Sequence, residues 1–314
     1  GSVLTRTLLG AGYRVRVLDS FLYGRNSLRT AGPADRLQIM HGDMRDIHTC
    51  VQALDGADAV IVLAAIVGDP ACSARPSQTI ETNVLAAQVI AAACKHSNIA
   101  RFVYASTCSV YGTGGTMLGE DAPLNPVSLY ARTKIASEQT ILDMADGYFC
   151  PTVLRMGTLY GYSPRMRFDL VVNTMTMKAF THKQIQVFGG QQWRPLLHVA
   201  DAADAYLACL QADLDTVAGQ VFNTGSDAQN YQIRDIASIV ASSTGDVHVE
   251  RDASTLDARD YRVSFTKIQA ALNFRAQHTV ETAAKDIFYR LGQGIISNPE
   301  SKIYYNHYFD TAEE

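Results

Sequence analysis

No apolar run in this chain approaches the roughly 18 to 20 residues that a bilayer-spanning helix needs, and no secretory signal is visible, so neither a membrane-embedded nor an exported protein is expected. A basic excess is missing as well: the formal net charge is −4, which leaves no basic patch for nucleic acid. Cysteine pairs at C-x-x-C spacing do not occur. The six cysteines (50, 72, 94, 108, 150 and 209) are scattered, several of them in apolar runs such as A-A-A-C-K around Cys94 and Y-L-A-C-L around Cys209. They read as reduced core thiols of a cytoplasmic protein, with no metal site implied. Internal repeats and low-complexity segments are absent. What remains is 314 residues with 47% hydrophobic content, enough to bury a large core as one unit or as two closely joined lobes.

The stretch that organises the rest runs from Ala105 to Lys134. Arg101 to Ser106 reads as a buried strand, and Ser128 to Met144 as a helix with Tyr130 and Lys134 one turn apart. Residues at i and i+4 share a helix face, so the ammonium of Lys134 can lie beside the phenol of Tyr130. A phenol titrates near pH 10, and to serve as a base near neutrality its pKa must fall by roughly three units, about 4 kcal/mol. A neighbouring cation acts in that direction. Thr107, at the end of the preceding strand, can bridge a substrate hydroxyl and the phenol by hydrogen bonds.

The T-C-S-V-Y-G of residues 107–112, followed by Y-x-x-x-K at 130–134, resembles the extended short-chain dehydrogenase/reductases, specifically the NAD-dependent nucleotide-sugar epimerase/dehydratase group. The resemblance implies an α/β fold: a doubly wound Rossmann-type parallel sheet over residues 1–156, and a smaller substrate-binding α/β lobe over 157–314 with some segments returning to the sheet. It implies Thr107, Tyr130 and Lys134 as the catalytic set and NAD as cofactor. It also implies a homodimer formed through the helices Thr79–His96 and Ser128–Met144. The chain opens with a helix (Ser2 to Leu9), a Gly10-Ala11-Gly12 turn and an alternating strand, Tyr13 to Leu18. In the family a strand and a G-x-x-G-x-x-G turn precede these, and Gly1 falls where the last fingerprint glycine lies. About ten further residues upstream are therefore expected, from usual strand and turn lengths; a Gly-Ser expression scar is the rival account of Gly1-Ser2.

Further positions follow the family pattern. Asp19 ends the second family strand as the expected ribose ligand, where a carboxylate favours NAD over NADP; Arg25 lies close enough to blur that preference. Leu37 to Met40 reads as a strand, and the resemblance places Asp43 and Met44 at the adenine. Ala57 to Ala65 is a near-continuous apolar run that suits a parallel strand covered on both faces. Ala64 and Ala65 are small enough for backbone to approach a cofactor. Residues 66–77 resemble the loop beside the nicotinamide, and Asn83, on the Thr79–His96 helix, is implied as a brace of the catalytic strand. Residues 111–128 carry enough Gly and Pro for a flexible lid edge.

Cys150 to Met156 is the next expected strand. Thr158 stands where the family's substrate-contacting Asn is usual. Arg165, Arg167 and a helix with Asn173 form the expected wall of the substrate lobe. Gln184–Phe188 reads as a strand. The W-R-P-L-L-H-V-A-D of 193–201 resembles the family's R-D-x-x-H-V-x-D, in which Arg194 would clamp a diphosphate with its planar fork. His198 is expected as a structural residue beside a helix start, and Asp201 as that helix's N-cap. Val221–Thr224 and Asp246–Arg251 read as strands; Tyr231–Ser243 and Thr266–Leu272 read as helices. Arg259 is the implied second phosphate ligand, with Arg262 as competitor, and 302–309 reads as a packed strap.

The family's 4,6-dehydratases carry Asp-Glu directly after the catalytic Thr, and its 3,5-epimerase/reductases carry Cys two residues before the Tyr of V-Y-G. Here those places hold Cys108-Ser109 and Ser109. The resemblance therefore points to a nucleotide-sugar 4-epimerase. A nucleotide-sugar ketoreductase, a dehydratase, a reductase of a non-nucleotide carbonyl compound and a non-catalytic dinucleotide-binding scaffold are the alternatives. The intact Tyr130 and Lys134 weigh against the last.

Overall fold

The computed structural model describes residues 1–28, 31–33, 35–252 and 259–307. Its centre is a four-stranded parallel ladder in the order β10 (Val221–Thr224), β6 (Cys150–Met156), β4 (Arg101–Thr107), β3 (Ala59–Val62). β6 is buried along its whole length, as a parallel strand covered by helices on both faces must be. Beside this ladder β1 (Val15–Asp19) pairs in parallel with β2 (Leu37–His41). The single sheet expected from the sequence is thus present as two parallel ladders. β1 and β3 exchange no ladder hydrogen bonds among the described residues; side chains link them instead. Val15 and Ile61 pack on one apolar cluster, Leu18 and Val60 on another.

Helices cover both faces. On one, α1 (Ser2–Gly10) sets Leu4 and Leu8 in a cluster with Ala205, Tyr206 and Cys209 of α8 (Val199–Gln211). On the other, α2 (Ile47–Leu54), α5 (Ala87–His96) and α6 (Leu129–Asp143) supply Cys50, Ile90, Cys94 and Ile141. The expected Thr79–His96 helix is composite: α4 (Pro76–Ile80) passes through a π-helical segment, Glu81–Ala86, into α5. A π-bulge inside a helix is often a mark of a functional site, and Asn83 sits in it.

The second half builds smaller sheets. β9 (Trp193–His198) pairs with β7 (Thr158–Tyr160) and β11 (Asn230–Gln232); β8 (Gln184–Phe188) pairs with β12 (His248–Asp252). α7 (Val171–His182), α10 (Ile233–Thr244) and α12 (Val280–Gly292) close over them around Val172, Ile185, Ile236 and Ala284. The short helices α3 (Asp69–Ala74), α9 (Leu214–Val217) and α11 (Thr266–Leu272) complete the set.

Three expectations change. Residues 111–128 are not simply a lid edge: β5 (Thr113–Leu118) pairs in parallel with β13 (Asp260–Val263), tying a segment of the first half to the second. Asp201 is not the N-cap of α8. That place belongs to His198, whose Nδ1 accepts the Ala200 amide at 3.2 Å, while buried Asp201 accepts the backbone amides of Gln277 and His278. The strand expected over 57–65 ends at Val62, which frees Leu63 to Gly68 to form a loop. The strap is present at 302–304, with Tyr304 packed among Met166, Phe168 and Ile287; its last expected residues, 308 and 309, lie outside the described ones. All six cysteines are buried free thiols. Among the described residues no helix is long and apolar enough to cross a membrane.

Candidate active site

The C-terminal ends of β1, β3 and β4 carry Asp19, the Leu63–Gly68 loop and Thr107 in turn, and α6 runs beneath the last of these. Ser128 fixes the start of α6, its Oγ accepting the Ala131 amide at 3.2 Å. Tyr130 and Lys134 are then one turn apart inside the helix. Lys134 is 2% exposed, and its Nζ donates to the Ala105 carbonyl at 2.8 Å and to the Tyr104 hydroxyl at 3.3 Å. It lies 6.0 Å from the centre of the Tyr130 ring. An ammonium has three N–H groups, so one is left to give.

Burial pushes the Lys134 pKa down, and the neighbouring Tyr130 and Glu138 oppose that. Burial likewise pushes the Tyr130 phenol up, while Lys134 pulls it down. In this structure burial is the larger influence on the phenol. The fall expected from the lysine is therefore incomplete without a further positive charge.

Thr107 is buried at the end of β4, its Oγ1 accepting the Ser109 amide at 3.1 Å and opening the turn 108–111. Gly112 closes that turn at φ +64°; a Cβ there would stand 1.8 Å from the Asn125 carbonyl oxygen, so the glycine of V-Y-G is required by space as well as by conformation. Cys108 is buried, its thiol donating to the Arg155 carbonyl at 3.1 Å, and burial raises its pKa far above the ordinary thiol range. Ser109 accepts the Tyr261 hydroxyl at 3.3 Å.

Around this core the predicted contacts divide. Asp19 is exposed and its Oδ1 accepts the Phe21 amide at 2.7 Å, while Arg25 stacks over the Phe21 ring at 4.5 Å. Ala64 is exposed and Ala65 half-buried just past β3, leaving small side chains and accessible backbone at the strand ends. Gly1 is exposed as the residue that opens α1, its carbonyl accepting the Thr5 amide. These features, with the spare Lys134 N–H, fit a dinucleotide lying across the strand ends. Asp43 is otherwise engaged: Arg45 binds it through Nε and Nη2, at 2.7 Å for the closest contact, and holds its carboxyl below the usual range. Met44 is buried against Cys50 and Leu54.

Asn83 braces something other than the catalytic strand. Its side chain bonds the amide and carbonyl of Ile66, both at 2.8 Å, and reaches Thr133 of α6 at 3.3 Å. The loop after β3 is thereby fixed to α6, and Ile66, Ala71 and Cys72 pack on Leu129 and Tyr130. Asn173 is buried with its amide on Gly161 and Arg167 backbone, so it shapes the 161–167 segment from behind. Thr158 is half-buried in β7 opposite Leu196. Arg194 is buried, and its Nη1 donates to the carbonyls of Trp193 and Arg259. Arg259 reaches Asp69 of α3 at 3.3 Å. The two arginines are thus brought together. Arg262 lies instead over the Trp193 ring and against the Gly115 carbonyl.

Sequence reasoning missed the polar layer beneath the site. Glu138, at i+4 from Lys134, is 3% exposed and holds Arg155 of β6 and Ser106 of β4. Its signal was available as Y-x-x-x-K-x-x-x-E, a third polar residue on a face where a solvated one is ordinary. Arg167, expected as part of the substrate-lobe wall, pairs with Asp169 at 2.7 Å, and its charge bears on Tyr130.

Known proteins resemble this chain in sequence and in fold. A family model described as the NAD dependent epimerase/dehydratase family matches residues 1–225. A Bacillus subtilis protein described as an uncharacterized UDP-glucose epimerase, YtcB, is 30% identical over 195 residues, 61% of this chain and 60% of that protein's length. A dTDP-glucose 4,6-dehydratase of Streptomyces niveus is 27% identical over 280 residues, 87% of this chain and 82% of the relative. Among solved structures, MoeE5 in complex with UDP-glucuronic acid and NAD superposes with a TM-score of 0.81 at 25% identity, covering 94% of this chain and 96% of the other.

Proposed function

The chain belongs to the NAD-dependent epimerase/dehydratase family, and from that premise we propose that it is a nucleotide-sugar 4-epimerase working through a transient 4-keto-sugar. The observation that carries the reading is the buried ammonium of Lys134, anchored on β4 beside the Tyr130 phenol with one donor to spare. NAD supplies the hydride acceptor and donor at the sugar carbon. Asp19 would take the adenosine ribose hydroxyls, Ala64 and Ala65 would let backbone approach the diphosphate, and the spare N–H of Lys134 would reach the nicotinamide ribose. Tyr130 removes the C4 hydroxyl proton as that carbon is oxidised and returns it after the keto-sugar has turned over. Thr107 orients the hydroxyl. Arg194 and Arg259 clamp the nucleotide diphosphate, with Arg259 exchanging Asp69 for phosphate.

The names of the two relatives divide between epimerase and dehydratase. Expulsion of water needs an added acid and base after Thr107, and this chain offers a core thiol on the Arg155 carbonyl and a serine on Tyr261 instead. That favours epimerisation. Ile80, Leu85 and Val89 stand exposed on the helical run beside α6, Leu85 at 53%, and suit the homodimer expected through these helices; a monomeric mass by light scattering would refute it.

Thermal-shift screening of UDP-, dTDP-, GDP- and CDP-sugars identifies the nucleotide, since a true ligand raises the melting temperature. Proton NMR of that sugar with the protein should then show inversion at C4 without net change of cofactor. Tyr130→Phe should bind NAD normally and lose about 10² to 10⁴ in turnover. A dehydrated product, or one hydride consumed per turnover, would overturn the epimerase reading in favour of dehydratase or ketoreductase.

A further inference from the structure

Beneath the reactive phenol, one buried carboxylate joins three elements of the site. Ser106 and Arg155 are register partners on β4 and β6, so their side chains leave the sheet on one face, toward α6. There Glu138 accepts the Ser106 hydroxyl and, through both oxygens, the Arg155 guanidinium: Nε at 3.1 and 3.2 Å and Nη2 at 2.8 Å. The other arm of Arg155 donates to the Tyr111 hydroxyl at 3.0 Å and the Glu120 carbonyl at 3.1 Å, and Tyr111 passes its own proton to Asn223 at 2.7 Å. Every group in this layer has a partner, as a buried ionic network requires.

Ser106 precedes Thr107, and Glu138 follows Lys134 by one turn on the face that carries Tyr130. The strand end that presents Thr107 and the helix that presents the other two residues are therefore pinned to one carboxylate. We propose that Glu138 is a positioning residue of the reaction: it locks α6 to the ends of β4 and β6 and keeps Lys134 a cation beside the phenol. This deepens the epimerase reading and rests on it for the role of Tyr130. The other groups facing the pair are Tyr104 from β4, Cys72 from α3, Arg167 from the segment before α7 and Tyr206 from α8. Glu138 is the one carboxylate whose charge bears on Lys134 among the described residues.

The sign follows from charge. Without the Glu138 carboxylate the ammonium is less favoured, its pull on the phenol weakens, and the phenol becomes a base only at higher pH. The test uses the NAD-loaded protein carrying [¹³Cζ]tyrosine, with the Tyr130 resonance assigned by its loss in Tyr130→Phe. In Glu138→Gln the Tyr130 titration should move up by about one unit. The double variant Glu138→Gln/Arg155→Gln leaves no unpaired charge behind, so it keeps the test open if the single variant fails to fold, and a smaller shift of the same sign is expected because the opposing Arg155 charge goes with it. Glu138→Asp, which retains the charge, should return most of it. In the epimerase assay the acidic limb of kcat should move with the phenol and kcat at pH 7 fall about tenfold, with KM for the nucleotide sugar within twofold of wild type. A folded variant whose Tyr130 titration stays put overturns the inference. Absence of turnover with every nucleotide sugar would instead sink the epimerase reading, and the phenol titration would still decide Glu138.

Discussion

Replacing Asn83 with alanine removes a side chain that hydrogen-bonds the loop after β3 and reaches α6. Asn83 is 1% exposed; it serves the Ile66 amide and carbonyl at 2.8 Å each and Thr133 at 3.3 Å. In the variant the Ile66 carbonyl keeps only the weak Cys72 thiol, at 3.3 Å, and the Ile66 amide keeps no partner among the described residues. A buried backbone group stripped of its partner costs about 1 to 3 kcal/mol, so the two together cost about 3 kcal/mol once the remaining thiol contact is counted. For a chain of 314 residues that is a fall in Tm of roughly 4 to 5 °C, read by thermal unfolding and checked by urea titration. Because Ala71 and Cys72 pack on Leu129 and Tyr130, the loosened loop should also lower kcat about tenfold, and NAD affinity should weaken with it because Ala64 and Ala65 lie on the same loop. Asn83→Asp, which buries a charge and turns an oxygen onto the Ile66 carbonyl, should lose at least as much as alanine. A loss under about 1 kcal/mol with wild-type kcat would refute the claim that this side chain holds the loop.

Other outcomes are expected from other parts of the structure. Arg259→Ala should raise KM for the nucleotide sugar at least about tenfold, the scale of a charge-assisted bond, with NAD binding by calorimetry unchanged; equal loss of both would place Arg259 elsewhere. Burial pushes His198 down to about 4 from its ordinary value of 6.5, so the unfolded chain binds the extra proton first. Its contribution is full above about pH 6.5 and is lost as pH falls toward 4, at most about 3 kcal/mol. His198→Asn, which keeps an acceptor for the Ala200 amide, should flatten Tm against pH across that window; an unchanged slope would assign the acid sensitivity to other groups.

The sequence was most legible where periodicity and motif coincide. β6 and β8 begin and end where the apolar patterns say, and Ser128 caps α6 as an N-cap serine should. The strand at 113–118 was hidden because T-G-G-T-M-L reads as loop chemistry; its partner, β13, is about 150 residues away and supplies the pairing that local propensity does not. Asp201 misled for a related reason. An acid near a helix start suggests a cap, yet its partners at 277 and 278 are distant in sequence, and a histidine does the local work. Tyr130 and Lys134 stood out by their spacing together with the T-C-S-V-Y-G of 107–112, whereas Glu138 was passed over because spacing cannot tell a solvated carboxylate from one paired with a strand arginine.

The burial of all six thiols gives this enzyme a set of internal clocks. A thiol reacts as its thiolate and only when reached, and burial holds Cys50 and Cys72 near 11 and Cys94 and Cys209 near 12. A disulfide reagent must therefore wait for the chain to breathe, and each labelling rate reads the opening free energy of one neighbourhood. Cys50 and Cys94 time the α2–α5 face, and Cys108 and Cys209 the α1–α8 face. Cys72, packed with Ile66 in the cluster that Tyr130 touches, times the loop after β3.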